Sequence, residues 1–436
     1  MSATMRVIGW RCAVCAAEVD IATSFPWRCP NATAGDRRHV LHLVNGADVG
    51  VGFEPGSTLV DEPVSDNNPY LRHDADLAWA AHADANGIDV AARQRLVTEL
   101  DDAVCGVAGV GFVPTPFGRS DALSDALGFT DGGGVWVKDE TGGVGGSQKA
   151  RHLFTILLHL RAAEILGHLT DRPPLAIASC GNAALAAATL ARAADWPIDV
   201  FVPSWMSDGF GDELDRLGAH VHRCERRAND PVGDPAMFRF REAVGTGAIP
   251  FTVQGPENAL ALDGGRTLGW EIGEQLADRV GELDRIFVQV GGGAFAACVG
   301  ATHPARRFHA VQAEGCAPLA LAWERSIETV GDAAPGLVAA RWSELMAPWP
   351  DPHSLADGIL DDETYDWLGV FDAIGSSGDA PIVAAEADIV AAHELSQSAG
   401  FDVSPTGSAG LAGLLAIVDG VQPTERVAVV MSGVAR

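Results

Sequence analysis

The chain has 436 residues, of which 47% are apolar and 20% charged, enough for two domains with a large buried core. Its formal charge of −28 leaves no basic footprint to displace counterions from a nucleic acid, and no polybasic grip on an anionic membrane. The N-terminal residues lack the pattern of a secretory signal, no apolar run approaches ~18 residues, and the eight cysteines are scattered, so a reducing cytoplasm is the expected location.

The 30 basic residues include only two lysines, Lys138 and Lys149, which narrows any lysine chemistry to two candidates. The first forty-odd residues stand apart. Cys12-Ala-Val-Cys15 is followed by Cys29-Pro30, the basic pair Arg37-Arg38, and the histidines His39 and His42. Closely spaced cysteines suggest a small ribbon of the zinc-binding kind, whose tetrahedral site needs four thiolate or imidazole ligands. Asn31 and Ala32 stand where a second closely spaced pair would place its last cysteine. Either His39 or His42 completes the set, or the ribbon stands without metal; no metal ligand is assigned from sequence. Residues 45–70 are rich in Gly, Pro, Asp and Asn and read as loop and linker.

From Val135 onward strands and helices alternate. Strands are predicted at 135–138, 175–178, 198–202, 285–290, 309–313 and 427–431, and helices at 149–166, 183–194, 211–217, from Phe295, and at 408–418. This rhythm implies crossover units and parallel sheets with helices on both faces, an α/β class of two sheets with a cleft between them. The Gly- and Pro-containing stretch 330–353 reads as a flap.

Four loops follow predicted strands, where open parallel sheets bind ligands. In Gly142-Gly-Val-Gly-Gly-Ser-Gln-Lys149-Ala-Arg151, glycines permit close backbone approach. Lys149 opens a helix, whose positive dipole end disfavours the ammonium and favours the neutral amine that Schiff-base chemistry requires. Seen alone, it also fits a surface loop with a solvated lysine. Lys138, in the run Lys138-Asp139-Glu140, reads as structural and charged. Ser179-Cys180-Gly181-Asn182-Ala183 is a polar turn opening an alanine-rich helix, suited to a carboxylate or to simple capping. Gly291-Gly292-Gly293-Ala294-Phe295-Ala296 offers bare amides to a phosphate. With Glu314 at the end of the next strand, it also matches the dinucleotide fingerprint of a nicotinamide oxidoreductase. Met431-Ser432-Gly433 ends the last strand and is by itself an ordinary chain end.

In this order the four motifs resemble the fold-type-II pyridoxal-phosphate enzymes, the group of threonine synthase, serine and threonine dehydratases and the tryptophan synthase β-subunit. The resemblance runs from Pro114-Thr115-Pro116 to the C-terminus. The N-terminal cysteines, Asn68-Pro69-Tyr70-Leu71-Arg72 and Lys138-Asp139-Glu140 look most like the threonine synthase branch. The resemblance implies pyridoxal 5'-phosphate as cofactor and Lys149 as the Schiff-base lysine and α-proton base. It implies Asn182 on the ring hydroxyl, Gly291, Gly292, Gly293 and Ala294 on the phosphate, and Ser432 at the pyridine nitrogen. Ser179, Cys180 and Ala183 would line the substrate carboxylate site, with Arg151 as a further substrate contact.

The implied fold has two parallel-sheet, three-layer domains. The expected boundaries are a ribbon-like segment 1–45, a large cofactor domain 46–155 with 259–436, and a small mobile domain 156–258. The expected reaction is β- or γ-elimination, with or without replacement, on a small L-amino acid, in a homodimer that binds neither nucleic acid nor membrane. Gln148 before the lysine and Ala150 after it depart from the family's usual residues. A threonine synthase acting on O-phosphohomoserine would need a cluster of cations for the substrate phosphate, and Arg151 stands without an evident companion, so a dehydratase or ammonia-lyase is favoured.

Overall fold

The structure, a computed structural model, describes residues 6–46, 67–231, 233–277, 282–302, 305–375 and 379–434. Most of the expected linker, 47–66, lies outside the described residues. The chain divides into two compact units, residues 1–114 with 149–267 and residues 115–148 with 268–436. This grouping places residues 67–114 with 156–258, whereas the sequence had suggested 259–436 as their partner. The reason is the helix Val90–Ala108, which packs on the helices Lys149–Ile165 and Asn182–Ala193.

The first unit opens with a three-stranded antiparallel ribbon, β1 (Val7–Cys12), β2 (Glu18–Asp20) and β3 (Leu41–Asn45), in the order β2-β1-β3. Chain order then brings β4 (Phe117–Ser120) and β5 (Gly134–Asp139) of the second unit. The first unit's main sheet is wholly parallel: β6 (Leu175–Ala178), β7 (Ile198–Pro203), β8 (His220–Cys224) and β9 (Ile249–Pro250), in the order β8-β7-β6-β9. Along these strands Ala176, Phe201 and Cys224 share one face, where Ala236, Met237 and Phe240 of the helix Pro235–Gly245 cover them. The helix Asn182–Ala193 is built of alanines, and its small side chains allow close packing against its neighbours. Asp234, which caps the N–H of Ala236 just before Pro235, and Asn68 before Pro69 start helices that the strand–helix rhythm had not announced.

The second unit's sheet runs β12-β11-β10-β13-β5-β4, completed by β10 (Leu283–Gln289), β11 (Ala305–Ala313), β12 (Ile382–Ala384) and β13 (Arg426–Met431). Its strands are parallel except at one edge, where β4 pairs antiparallel with β5. Alternation along β11 shows why both faces are covered. Phe308 meets the helix Ala294–Gly300 at Gly300, while Val311, on the opposite face, meets the helix Pro405–Ile417 at Gly413. A Cβ at Gly413 would collide with the Val311 side chain, so the glycine sets how closely that helix approaches. The stretch 330–353, expected as a flap, holds the short helices Pro335–Val338 and Trp342–Leu345 with Val338, Trp342 and Met346 buried. Among the described residues no helix is long and apolar enough to cross a membrane.

Candidate active site

All four candidate loops sit at the C-terminal ends of parallel strands: 140–148 after β5, 179–181 after β6, 290–293 after β10 and 432–433 after β13. In the second unit, the loop after β5 turns through Gly145 (φ 69°) and Gly146 (φ 67°), two consecutive left-handed residues that glycine adopts without steric cost. It is then fastened to the end of β13. The N–H of Val434 donates to the Gly146 carbonyl at 2.9 Å, and the N–H of Gln148 donates to the Ser432 hydroxyl at 3.4 Å. Ser432 is buried, and the residue that follows Gln148 is Lys149.

Lys149 is the first residue of the helix Lys149–Ile165 and is half-buried. The first unit grips this helix along its length. The Tyr70 hydroxyl donates to the Arg151 carbonyl at 2.8 Å, and His152 Nδ1 donates to the Ala261 carbonyl at 2.7 Å. Gly264 lies so close to the Arg151 carbonyl that a Cβ there would clash. The Arg151 guanidinium is buried and donates to Thr267 Oγ1 at 3.1 Å. Burial pushes His152 down to about 4, with the positive charges of Lys149 and Arg151 adding to it, so this ring is neutral at pH 7.

The other candidates of the first unit form the turn after β6. Ser179 Oγ accepts from the Gly181 N–H at 3.3 Å, Gly181 is the extended cap residue, and Asn182 and Ala183 begin the helix. Ser179, Cys180 and Asn182 are half-buried and Ala183 is buried.

In the second unit the glycine loop after β10 is pressed against the segment 359–366. A Cβ at Gly291 would collide with the Asp361 carboxylate, and one at Gly293 (φ +95°) would lie 2.9 Å from Thr364 Cγ2. The Asp366 N–H donates to the Gly292 carbonyl at 2.8 Å. Among the described residues no acceptor takes the N–H of Gly291, Gly292 or Gly293, so three main-chain donors stand together as a phosphate cradle requires. The segment 359–366 was not legible as a site feature; its one sequence signal is the acidic run Asp361-Asp362-Glu363.

The other lysine has a different setting. Lys138 is fully buried on β5, and its Nζ reaches Glu271 Oε2, Gln275 Oε1 and the Thr115 carbonyl, each at 2.8 Å. A charge partner is therefore Glu271, far along the chain from the neighbouring Asp139 and Glu140 that the sequence suggested.

Residues 110–433 match the model of a family described as pyridoxal-phosphate dependent enzymes. The chain belongs to this family. It is a fold-type-II member, and pyridoxal 5'-phosphate is its cofactor. Among solved structures it is similar to threonine deaminase isoform 2 from Solanum lycopersicum, with 18% identity over 88% of this chain and 95% of that one, and a TM-score of 0.58. Serine racemase from Dictyostelium discoideum aligns at 18% identity over 78% of this chain and 98% of that one, with a TM-score of 0.58. Diaminopropionate ammonia lyase from Escherichia coli aligns at 14% identity over 78% and 88%, with a TM-score of 0.59. No curated protein matches.

The family settles the dinucleotide reading of the Gly291 loop, and the structure gives the physical reason. Glu314, which would hold a ribose, is instead bonded through Oε1 to the N–H of Glu386, at the start of the helix Glu386–Ser398.

Proposed function

We propose that this enzyme catalyses β- or γ-elimination on a small L-amino acid, as dehydratases and ammonia-lyases do. Lys149 would bind the cofactor as a Schiff base, with Asn182 on its ring hydroxyl. Gly291, Gly292, Gly293 and Ala294 would hold its phosphate, and Ser432 its pyridine nitrogen. Ser179, Cys180 and Ala183 would receive the substrate carboxylate. The observation that carries this reading is the bond from the Gln148 N–H to the Ser432 hydroxyl, which fastens the residue before Lys149 to the end of β13.

Pyridoxal phosphate, when bound, withdraws electrons from the substrate Cα and so acidifies its proton. Lys149 takes that proton at Nζ; at the first helical residue the positive end of the helix dipole favours the neutral amine over the ammonium. The Ser432 oxygen accepts from Gln148, which leaves its own proton to donate to a ring nitrogen. A neutral hydroxyl would not keep that nitrogen protonated as a carboxylate would, so Ser432 would favour prompt loss of a β or γ group over amino-group exchange. The deaminase and ammonia lyase among the structural neighbours agree with this chemistry by name.

A threonine synthase reaction on O-phosphohomoserine is the second reading, supported by the Asn68-Pro69-Tyr70 motif, whose tyrosine braces the lysine helix. It is disfavoured because the Arg151 guanidinium is buried against Thr267 and the segment on the glycine loop is acidic rather than basic. The test is a titration of the cofactor-loaded protein with L-serine, L-threonine and O-phosphohomoserine, following the visible cofactor band and keto-acid release. Serine or threonine should shift the band and release keto acid. A response to O-phosphohomoserine alone would replace the proposal with the second reading, and efficient exchange of amino groups with an added keto acid would overturn the role given to Ser432.

A further inference from the structure

The N-terminal ribbon precedes the family region, which begins at residue 110, and takes no part in the reaction proposed above. Cys12 closes β1, Cys15 ends the turn after it, Cys29 lies on the return, and His39 stands just before β3. One ligand atom from each converges: the three Sγ atoms and a ring nitrogen of His39 all lie within 4.8 Å of one another. Cys15 Sγ is 3.5 Å from Cys29 Sγ, and Cys12 Sγ is 3.3 Å from His39 Nδ1. Metal–ligand bonds of zinc at a tetrahedral centre give edges of about 3.5–3.8 Å, so these separations need only a small adjustment. We propose that Cys12, Cys15 and Cys29 through Sγ, and His39 through Nδ1, form a tetrahedral structural site for a zinc ion.

The surroundings are those of a metal site rather than of a chance cluster. The N–H of Val14 donates to Cys12 Sγ at 3.4 Å, and the N–H of Asn31 donates to Cys29 Sγ at 3.4 Å. Both turns therefore aim the amide two residues on at the sulfur, which stabilises thiolates. The Asn31 side-chain amide donates to Cys15 Sγ at 3.3 Å. On the far side of the imidazole, His39 Nε2 faces the Asp36 carboxylate at 3.5 Å, the arrangement that orients a histidine ligand. Cys12, Cys29 and His39 are buried, and Cys15 is exposed. On binding, three thiols release their protons and three thiolates and a neutral imidazole take the dication, leaving a net charge of −1 at the centre.

The site also explains how a short ribbon reaches the lysine helix. Cys15 and Cys29 bracket a segment whose carbonyls serve the rest of the unit. Ile21 accepts from His82 Nδ1 at 2.8 Å, Ser24 from His159 Nε2 at 2.6 Å, and Trp27 from the Ala259 N–H at 2.9 Å. His159 lies on the helix that begins with Lys149. A metal that pins both ends of the segment thus holds that helix in place.

The test is metal analysis of the full-length protein with one zinc per chain expected, followed by exchange for cobalt. A tetrahedral, thiolate-rich cobalt spectrum is expected. Cys15→Ser and His39→Ala should each lose zinc at least ~100-fold faster to a chelator, Asp36→Asn about tenfold faster, and His42→Ala no faster than the parent. Should Cys15→Ser fail to fold, the cobalt spectrum of the unaltered protein still decides. Zinc-free protein that takes up neither metal, an octahedral cobalt spectrum, a Cys15–Cys29 disulfide in protein purified under reducing conditions, or zinc loss in His42→Ala would each overturn the proposal.

Discussion

Lys138 and Lys149 are the only lysines, eleven residues apart, and the protein treats them in opposite ways. Lys138 is 0% exposed on a strand next to the sheet's edge, with three acceptors at 2.8 Å that satisfy every ammonium proton. Lys149 opens a helix just past two left-handed glycines and is half-buried. The same side chain is a fixed countercharge in one place and a candidate nucleophile in the other. What separates them is the backbone that presents each: a strand interior surrounds the ammonium with fixed acceptors, whereas a helix start brings the amine to the edge of a loop.

The sharpest way to break this contrast is Lys149→Ala, which should abolish covalent cofactor attachment and lower elimination by about 10³-fold or more, with the thermal midpoint kept. The visible spectrum and keto-acid release check it; a cofactor band of parental intensity and position would end the Lys149 assignment. Lys138→Met should act in the opposite sense. It removes the Lys138 ammonium from the buried Glu271 carboxylate, at a cost of about 3–5 kcal/mol in urea unfolding. Adding Glu271→Leu should restore part of that loss, and an unchanged midpoint in the single variant would show that the ion pair does not matter.

A third test sharpens the comparison through pH. Burial pushes His152 down to about 4, His159 to about 3 and His309 to about 4. The unfolded chain binds these protons near its ordinary value of about 6.5, before the folded protein does, so each neutral histidine stabilises the fold fully above that pH. Stability should fall as pH drops from about 6.5 toward 4, by up to about 1.4 kcal/mol per pH unit for each histidine. His159→Gln should flatten the slope in urea melts across that range; an identical slope would remove this histidine from the account. The smallest effect is expected at Ser432, the residue proposed for the pyridine nitrogen. Ser432→Ala should lower turnover by about tenfold or less, and Ser432→Asp should raise amino-group exchange at the expense of elimination.

Much of the candidate site is legible because its motifs are local. Val135–Lys138, Leu175–Ala178 and Val427–Met431 announce strands by composition, and glycines directly after a strand mark a turn whatever the rest of the chain does. The helices Ala78–Ala85 and Val90–Ala108 precede the strand–helix rhythm and are not announced by it; Asp89, which caps the N–H of Ala92, is the local start signal of the second. The antiparallel edge strand β4 is four residues long, and its direction is set by pairing with β5, which no local pattern encodes.

The sequence by itself determined the α/β class, the order of the four loops and the identity of the two lysines, since each depends on residues within a few positions of one another. Tertiary structure alone decided that Glu271 neutralises Lys138, that Ser432 receives the N–H of Gln148, that segment 359–366 covers the glycine loop, and that His39 rather than His42 joins the three cysteines. Those are meetings between residues far apart along the chain. They follow from how strands are ordered and how helices pack, and side-chain periodicity carries no record of either.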